Sequence, residues 1–141
     1  MSDIYNLERF IEAQNQIHES VLKEFKVGQK CGCWMWFIFP QIQGLGITST
    51  NQKYAISCQE EARAYSEHPI LGPRLRECTQ LVMKVERRTA EQIFSYPDYL
   101  KFRSCMTLFE ISATDNSIFR DALLMYFNGK PDQLTLNILK E

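Results

Sequence analysis

Leu7, Phe10, Ile11, Ile17, Val21, Leu22 and Phe25 recur at intervals of about three and four residues, the spacing that collects side chains on one face of an α-helix. This pattern constrains the fold more than any other, because a strand would need alternation at every second residue. It predicts one amphipathic helix over about residues 5–26. Gly28 stands just beyond it, where a left-handed C-terminal cap is wanted.

The same punctuation continues down the chain. Thr48, Ser49 and Thr50 offer N-caps to a helix carrying Tyr54, Ala55 and Ile56. Ser57 and Glu60 have capping-box spacing and open a helix through Ala62 and Tyr65. That helix should stop before His68-Pro69, since the residue before a proline avoids helical dihedrals. Pro69 and Pro73 suit the entry of the next helix, which carries Leu75, Cys78, Leu81, Val82 and Val85. Thr89 and Gln92 repeat the capping-box spacing over Ile93 and Phe94. Pro97-Asp98 starts a helix with Leu100, Phe102, Met106 and Phe109. Another carries Ile118, Phe119, Ala122, Leu123 and Tyr126, preceded by Thr114, Asp115 and Asn116 and ended by Asn128-Gly129. Pro131-Asp132 opens the last, with Leu134, Ile138 and Leu139. No strand pair with a tight hairpin turn is legible. The expectation is an all-α fold, a compact bundle of about seven short helices, in a single domain spanning residues 1–141.

The helical pattern breaks at Cys33-Trp34-Met35-Trp36-Phe37-Ile38-Phe39-Pro40-Gln41-Ile42-Gln43-Gly44-Leu45-Gly46, which holds both tryptophans of the chain. The apolar run is far shorter than the roughly 20 residues of a membrane span. It is either the centre of a core or the wall of an aromatic pocket. A net charge of −1 argues against a dedicated nucleic-acid binder, which carries a strong basic excess. The start, Met1-Ser2-Asp3-Ile4-Tyr5, lacks the basic and apolar regions of a signal peptide. Five scattered cysteines do not pair into a disulfide scaffold. Together these features predict a cytoplasmic protein with reduced thiols and no membrane association.

These residues carry a resemblance. Trp34 to Gln41 with Gly44-Leu45-Gly46 resembles the opening signature of an uncharacterised bacterial family, the domain of unknown function numbered 1810. Tyr54-Ala55-Ile56, Glu61 to Tyr65, His68-Pro69 and Leu71 to Leu75 look like its second block. Pro97-Asp98, Lys101 and Ser104 to Phe109 look like its third, and Gly129, Asp132 and Thr135 like its last. The resemblance implies an all-helical fold and no established activity. Two positions depart from the pattern: Cys33 stands where members usually have histidine, and Cys105 where they usually have a second serine. A calpastatin-like reading does not fit, because calpastatin's inhibitory segments are disordered and this chain has globular patterning. A weaker likeness, in size and helicity, is to the NADAR group tied to NAD and ADP-ribose metabolism.

Several constellations bear chemistry, each with a plainer alternative. Trp34 and Trp36 either flank a planar ligand, with the Gln41 amide reading its polar edge, or are core residues. Gly44 and Gly46 either bring backbone N–H groups close to a ligand or turn the chain. The pair lacks the third glycine of a dinucleotide fingerprint. Lys101, Ser104 and Thr107 share one helix face and, with Arg103, form either a phosphate or carboxylate site or a solvated face. Arg74 at the start of its helix is a further candidate for an anion, within a basic stretch shared with Arg76, Lys84, Arg87 and Arg88 and interrupted by Glu77 and Glu86. His18 reads as exposed, and His68 as a helix cap rather than a general base. Cys31-x-Cys33 lacks the second pair a zinc site needs, while Cys58, Cys78 and Cys105 read as small core residues.

The preferred functional expectation is a small-molecule-binding protein, nucleotide- or ADP-ribose-like in its ligand. Trp34, Trp36 and Tyr54 would wall the pocket, Gln41 would orient the ligand, Gly44 would let its backbone approach closely, and Lys101, with Ser104 on the same face, or Arg74 would meet an anion. No cofactor and no metal is expected. Catalysis, if any, would be hydrolysis or transfer at a glycosidic or phosphate-bearing carbon, although no carboxylate pair or Cys-His pair is legible. The alternative is a helical interaction module using the Trp34–Phe39 run as a hot spot. Convergence of Gln41, Lys101 and Ser104 in a concavity favours the first reading, and a flat apolar strip the second. Oligomeric state stays open.

Overall fold

The computed structural model describes residues 3–45 and 49–140, with the backbone alone given for 49–51. Gly46 and Thr48, considered above as a ligand-approaching glycine and an N-cap, lie outside the described residues. Among the described residues, nine helices run in the order α1 (Glu8–Val27), α2 (Met35–Ile38), α3 (Ser49–Tyr54), α4 (Gln59–Glu67), α5 (Leu71–Met83), α6 (Ala90–Phe94), α7 (Asp98–Ser112), α8 (Ser117–Phe127) and α9 (Gln133–Leu139). The sequence led to an expectation of about seven, and α2 is the helix it did not foresee. Among the described residues, no helix is long and apolar enough to cross a membrane.

Most boundaries fall where the punctuation placed them. Gly28 closes α1 at φ 88°, and its N–H returns to the carbonyls of Glu24 and Phe25. Asn128 and Gly129 close α8 in left-handed geometry. The side chain of Asp132 accepts the Thr135 N–H at the entry of α9. Thr89 and Gln92 form both bonds of a capping box over α6, at 2.8 and 3.1 Å. Thr89→Ala should therefore cost about 1 kcal/mol in thermal denaturation, the usual worth of an N-cap side chain.

Two local readings are corrected. Ala55 and Ile56 leave the helix after Tyr54: Ile56 pairs in parallel with Ile42, an isolated bridge among the described residues. Ser57 does not cap α4 through Glu60. Its N–H and hydroxyl both bond Glu61 Oε1, at 2.9 and 2.7 Å.

α7 is the centre of the packing, touching α2, α4, α6, α8 and α9. It is buried on most sides, which explains why its polar residues turn inward on themselves. The Ser104 and Thr107 hydroxyls donate to the carbonyls one turn back, at 3.1 and 2.8 Å. An aromatic cluster sits against it: Phe102 stacks on Phe94 at 4.8 Å and meets Phe39 edge-on at 5.0 Å. Gln14, buried on α1, ties the other side. Its Nε2 donates to the Phe37 carbonyl and the Tyr65 hydroxyl, and its Oε1 accepts from Arg74.

Candidate functional site

The aromatic run divides its two tryptophans between inside and outside. Trp34, at the N-cap of α2, is 2% exposed. It packs edge-on against Phe25 at 5.4 Å, and its indole N–H donates to Glu24 Oε1 at 3.0 Å. Burial alone would raise the Glu24 pKa, yet it is held below the usual carboxylate range. The N–H groups of Cys31 and Gly32, the Trp34 indole and the Lys30 charge favour the ionised form. Trp34 is thus a core residue, which corrects the expectation that it walls a pocket. The short turn of α2 sends Trp36 the other way, where it stays half-buried.

Pro40 ends that turn and the chain runs extended. The Gln41 carbonyl accepts from Ile56 N–H, and Gln43 N–H donates to the Ile56 carbonyl, both at 2.8 Å. Alternation along the extended stretch buries Ile42 in the core and leaves Gln41 and Gln43 on the other side. Gly44 then turns the chain at φ 106°, where an L side chain would be strained. The result is a cavity of about 160 Å³ lined by Trp36, Gln41, Ile42, Gln43, Gly44, Leu45, Gln52, Tyr54, Ala55 and Lys101.

Its character is aromatic, amidic and cationic. The Lys101 ammonium lies 3.9 Å from the centroid of the Trp36 ring, a cation–π contact. It also bonds Asp98 Oδ1 at 3.2 Å. Tyr54 is set by an edge-on contact to Phe37 at 5.0 Å and a tilted one to Phe10 at 5.8 Å. Gln41 Nε2 is buried without a hydrogen-bond partner among the described residues. An orphaned buried donor costs about 1–3 kcal/mol, so Gln41 is the wall residue a ligand acceptor would relieve.

Behind the cavity, Arg9 and Glu61 hold its far edge. Arg9 donates to the carbonyls of Lys53 and Ala55, at 2.7 and 2.9 Å, and pairs with Glu61 Oε2 at 2.8 Å. A more open hollow of about 430 Å³ adjoins, sharing Gln43, Gln52 and Ala55 and adding Tyr5, Asn6, Arg9 and Ser57. Arg9 and Glu61 were not singled out in the sequence. The signal available was a carboxylate, Glu61, placed beside Ala62 and Tyr65 on the buried face of α4.

Of the residues expected at a site, Trp36, Gln41, Gly44, Tyr54 and Lys101 share this cavity, whereas Trp34, Arg74 and Ser104 do not line it. Arg74 is spent on Gln14 and Asn15 of α1, at 3.3 and 3.0 Å. Ser104 is 6% exposed and bonded to its own helix. Arg103 donates to the carbonyls of Lys130 and Pro131, joining α7 to the loop before α9. The anticipated face of Lys101, Ser104 and Thr107 is therefore mostly interior. The run Trp34–Phe39 is not a surface strip either, since Trp34, Met35, Ile38 and Phe39 are buried.

The remaining chemistry-bearing groups resolve simply. His68 Nδ1 accepts the N–H groups of Ile70 and Leu71 at the entry of α5, the capping role expected. His18 is partly rather than fully exposed, 4.0 Å from Glu77. Cys105 is buried completely, and that burial holds its thiol well above the ordinary range. A group at that position faces the core and does not line the cavity. Cys78 is also core, its thiol pushed up to about 12 by burial, whereas Cys58 is only half-buried and Cys31 and Cys33 are exposed. Among the described residues no three metal-ligating side chains gather.

Comparison with known proteins agrees with this architecture. The chain is similar to a conserved hypothetical protein, Rv1873, from Mycobacterium tuberculosis, known from a crystal structure. The two share 45% identity with a TM-score of 0.96, and the likeness covers 99% of each chain. No curated protein matches the chain. The family model described as "Protein of unknown function (DUF1810)" matches residues 4–139. On that nearly full-length match, the chain belongs to the DUF1810 family of proteins of unknown function.

Proposed function

We propose that the cavity bounded by Trp36, Gln41, Tyr54 and Lys101 binds a small molecule of nucleotide or ADP-ribose type. The observation that carries the reading is the buried Gln41 Nε2, without a hydrogen-bond partner among the described residues, in the same cavity as the Lys101 cation. Both groups donate, so the complementary ligand presents acceptors. Size narrows the choice. A dry cavity of about 150 Å³ takes one benzene ring. A cavity of 160 Å³ therefore seats one planar ring, not a whole dinucleotide. The rest of a nucleotide-like ligand would pass over Gln43 and Gln52 towards the adjoining hollow. Because Lys101 covers one face of Trp36, the ring stacks against Tyr54 or meets the free edge of the indole, rather than lying between two tryptophans.

The test is a thermal-shift screen against nucleotides, NAD, ADP-ribose and sugar phosphates, repeated on two variants. A ligand held at 100 times its Kd stabilises the folded state by about 2.7 kcal/mol, a rise of several degrees. Trp36→Ala should abolish that rise. Gln41→Ala should weaken it without lowering intrinsic stability by more than about 1 kcal/mol, because its Nε2 has no hydrogen bond to lose among the described residues. Unfolding of Gln41→Ala would instead make the residue architectural, and silence across the screen would remove the reading.

A further inference from the structure

The cation of this cavity does not stand alone. Asp98, the first residue of α7, is shared by two lysines: Lys30 Nζ meets Oδ2 at 2.6 Å, and Lys101 Nζ meets Oδ1 at 3.2 Å. Each lysine also lies over a tryptophan, Lys30 at 5.1 Å from the Trp34 ring and Lys101 at 3.9 Å from the Trp36 ring. The two halves differ in burial. The Lys30 side chain is 7% exposed and also donates to the Gly32 carbonyl, whereas that of Lys101 is 23% exposed and lines the cavity.

This asymmetry assigns the two lysines different work. A carboxylate this buried is costly without a counter-charge, and the shorter bond to Lys30 meets that need. Lys101 can therefore leave Asp98 without orphaning it. The trio also keeps a net positive charge, with two ammonium groups against one carboxylate. We infer that Lys101 is a releasable cation that swings from Asp98 and Trp36 onto the phosphate of a cavity ligand, while Lys30 stays behind to hold Asp98. The inference rests on the reading of the cavity above and names the ligand's anionic group as a phosphate. Lys101 touches the ligand, and Asp98 is a positioning residue that restrains it.

The experiment compares adenosine 5′-monophosphate, adenosine and inorganic phosphate by calorimetric titration at low and high salt, with tryptophan emission recorded alongside. The monophosphate should bind roughly tenfold or more tightly than adenosine, by the usual worth of a charge-assisted contact. Salt should weaken that advantage. Lys101→Met should erase the advantage, so that the monophosphate and adenosine bind this variant equally. Asp98→Asn should tighten the monophosphate, because the competing carboxylate is gone. If that variant does not fold, the wild-type emission decides: release of the ammonium from Trp36 should change it with the monophosphate and not with adenosine. Equal binding of monophosphate and adenosine, or a Lys101→Met variant indistinguishable from wild type, overturns the release of Lys101 and leaves the cavity reading standing. Binding of none of the three probes overturns the release of Lys101, and it overturns the cavity reading as well where the thermal-shift screen is silent.

Discussion

Gly72→Ala should destabilise the protein by about 3 kcal/mol or more in urea denaturation, although alanine is the better helix former. A Cβ at position 72 would lie 2.2 Å from the Ser66 carbonyl oxygen and 3.0 Å from its carbon. Both atoms are backbone, so no side-chain rotation relieves the clash. The helix-propensity gain of replacing glycine is at most about 1 kcal/mol. Overpacking typically costs about 1–3 kcal/mol, and more when backbone must move. The displaced carbonyl is also the acceptor of Arg76 Nη1 at 2.8 Å, whose Nη2 reaches the Asp115 carbonyl. Moving it would strain the junction of α4, α5 and the loop before α8 together. Stability equal to wild type would show that α4 and α5 can part at this point without cost.

That glycine also illustrates what the sequence could and could not convey. Its need is for space, set by a neighbouring helix, and nothing within Leu71-Gly72-Pro73 announces it. Where structure depends on local bonds, the residues were sufficient. Gly28, the Thr89/Gln92 pair and Asp132 each satisfy an exposed helix end from within a few residues, and each does so in the structure. Where the deciding bond is distant, local reading failed. Ile56 looks helical after Tyr54, yet it is drawn into extended pairing with Ile42. The run Trp34 to Phe39 has no polar face, so periodicity gave no sign of α2 or of which tryptophan turns inward. The cavity was legible as a set of residue types, with Trp36, Gln41, Gly44, Tyr54 and Lys101 in it. Its supports were not, because Lys30, Asp98, Arg9 and Glu61 acquire meaning only through partners far along the chain.

Glu61→Ala should remove about 3–5 kcal/mol of stability, the range for breaking one partner of a buried ion pair. The Glu61 and Arg9 side chains are 2% and 14% exposed, so the abandoned guanidinium cannot recover its hydration in place. The loss should extend to the cavity. Glu61 orients Arg9, and Arg9 in turn fixes the carbonyls of Lys53 and Ala55, on either side of Tyr54. Glu61 Oε1 also holds both the N–H and the hydroxyl of Ser57. One carboxylate therefore anchors the whole segment that forms the far wall. A double variant, Arg9→Met with Glu61→Leu, separates the two effects. Apolar replacement of a buried ion pair is often neutral for stability. It should recover much of the loss in urea denaturation, yet it restores none of the bonds to Lys53, Ala55 and Ser57. Ligand-induced thermal stabilisation should therefore stay absent in the double variant even where its melting temperature approaches wild type. If stabilisation returned along with the melting temperature, the far wall would be held by packing alone and the Arg9 tether would be dispensable to the site.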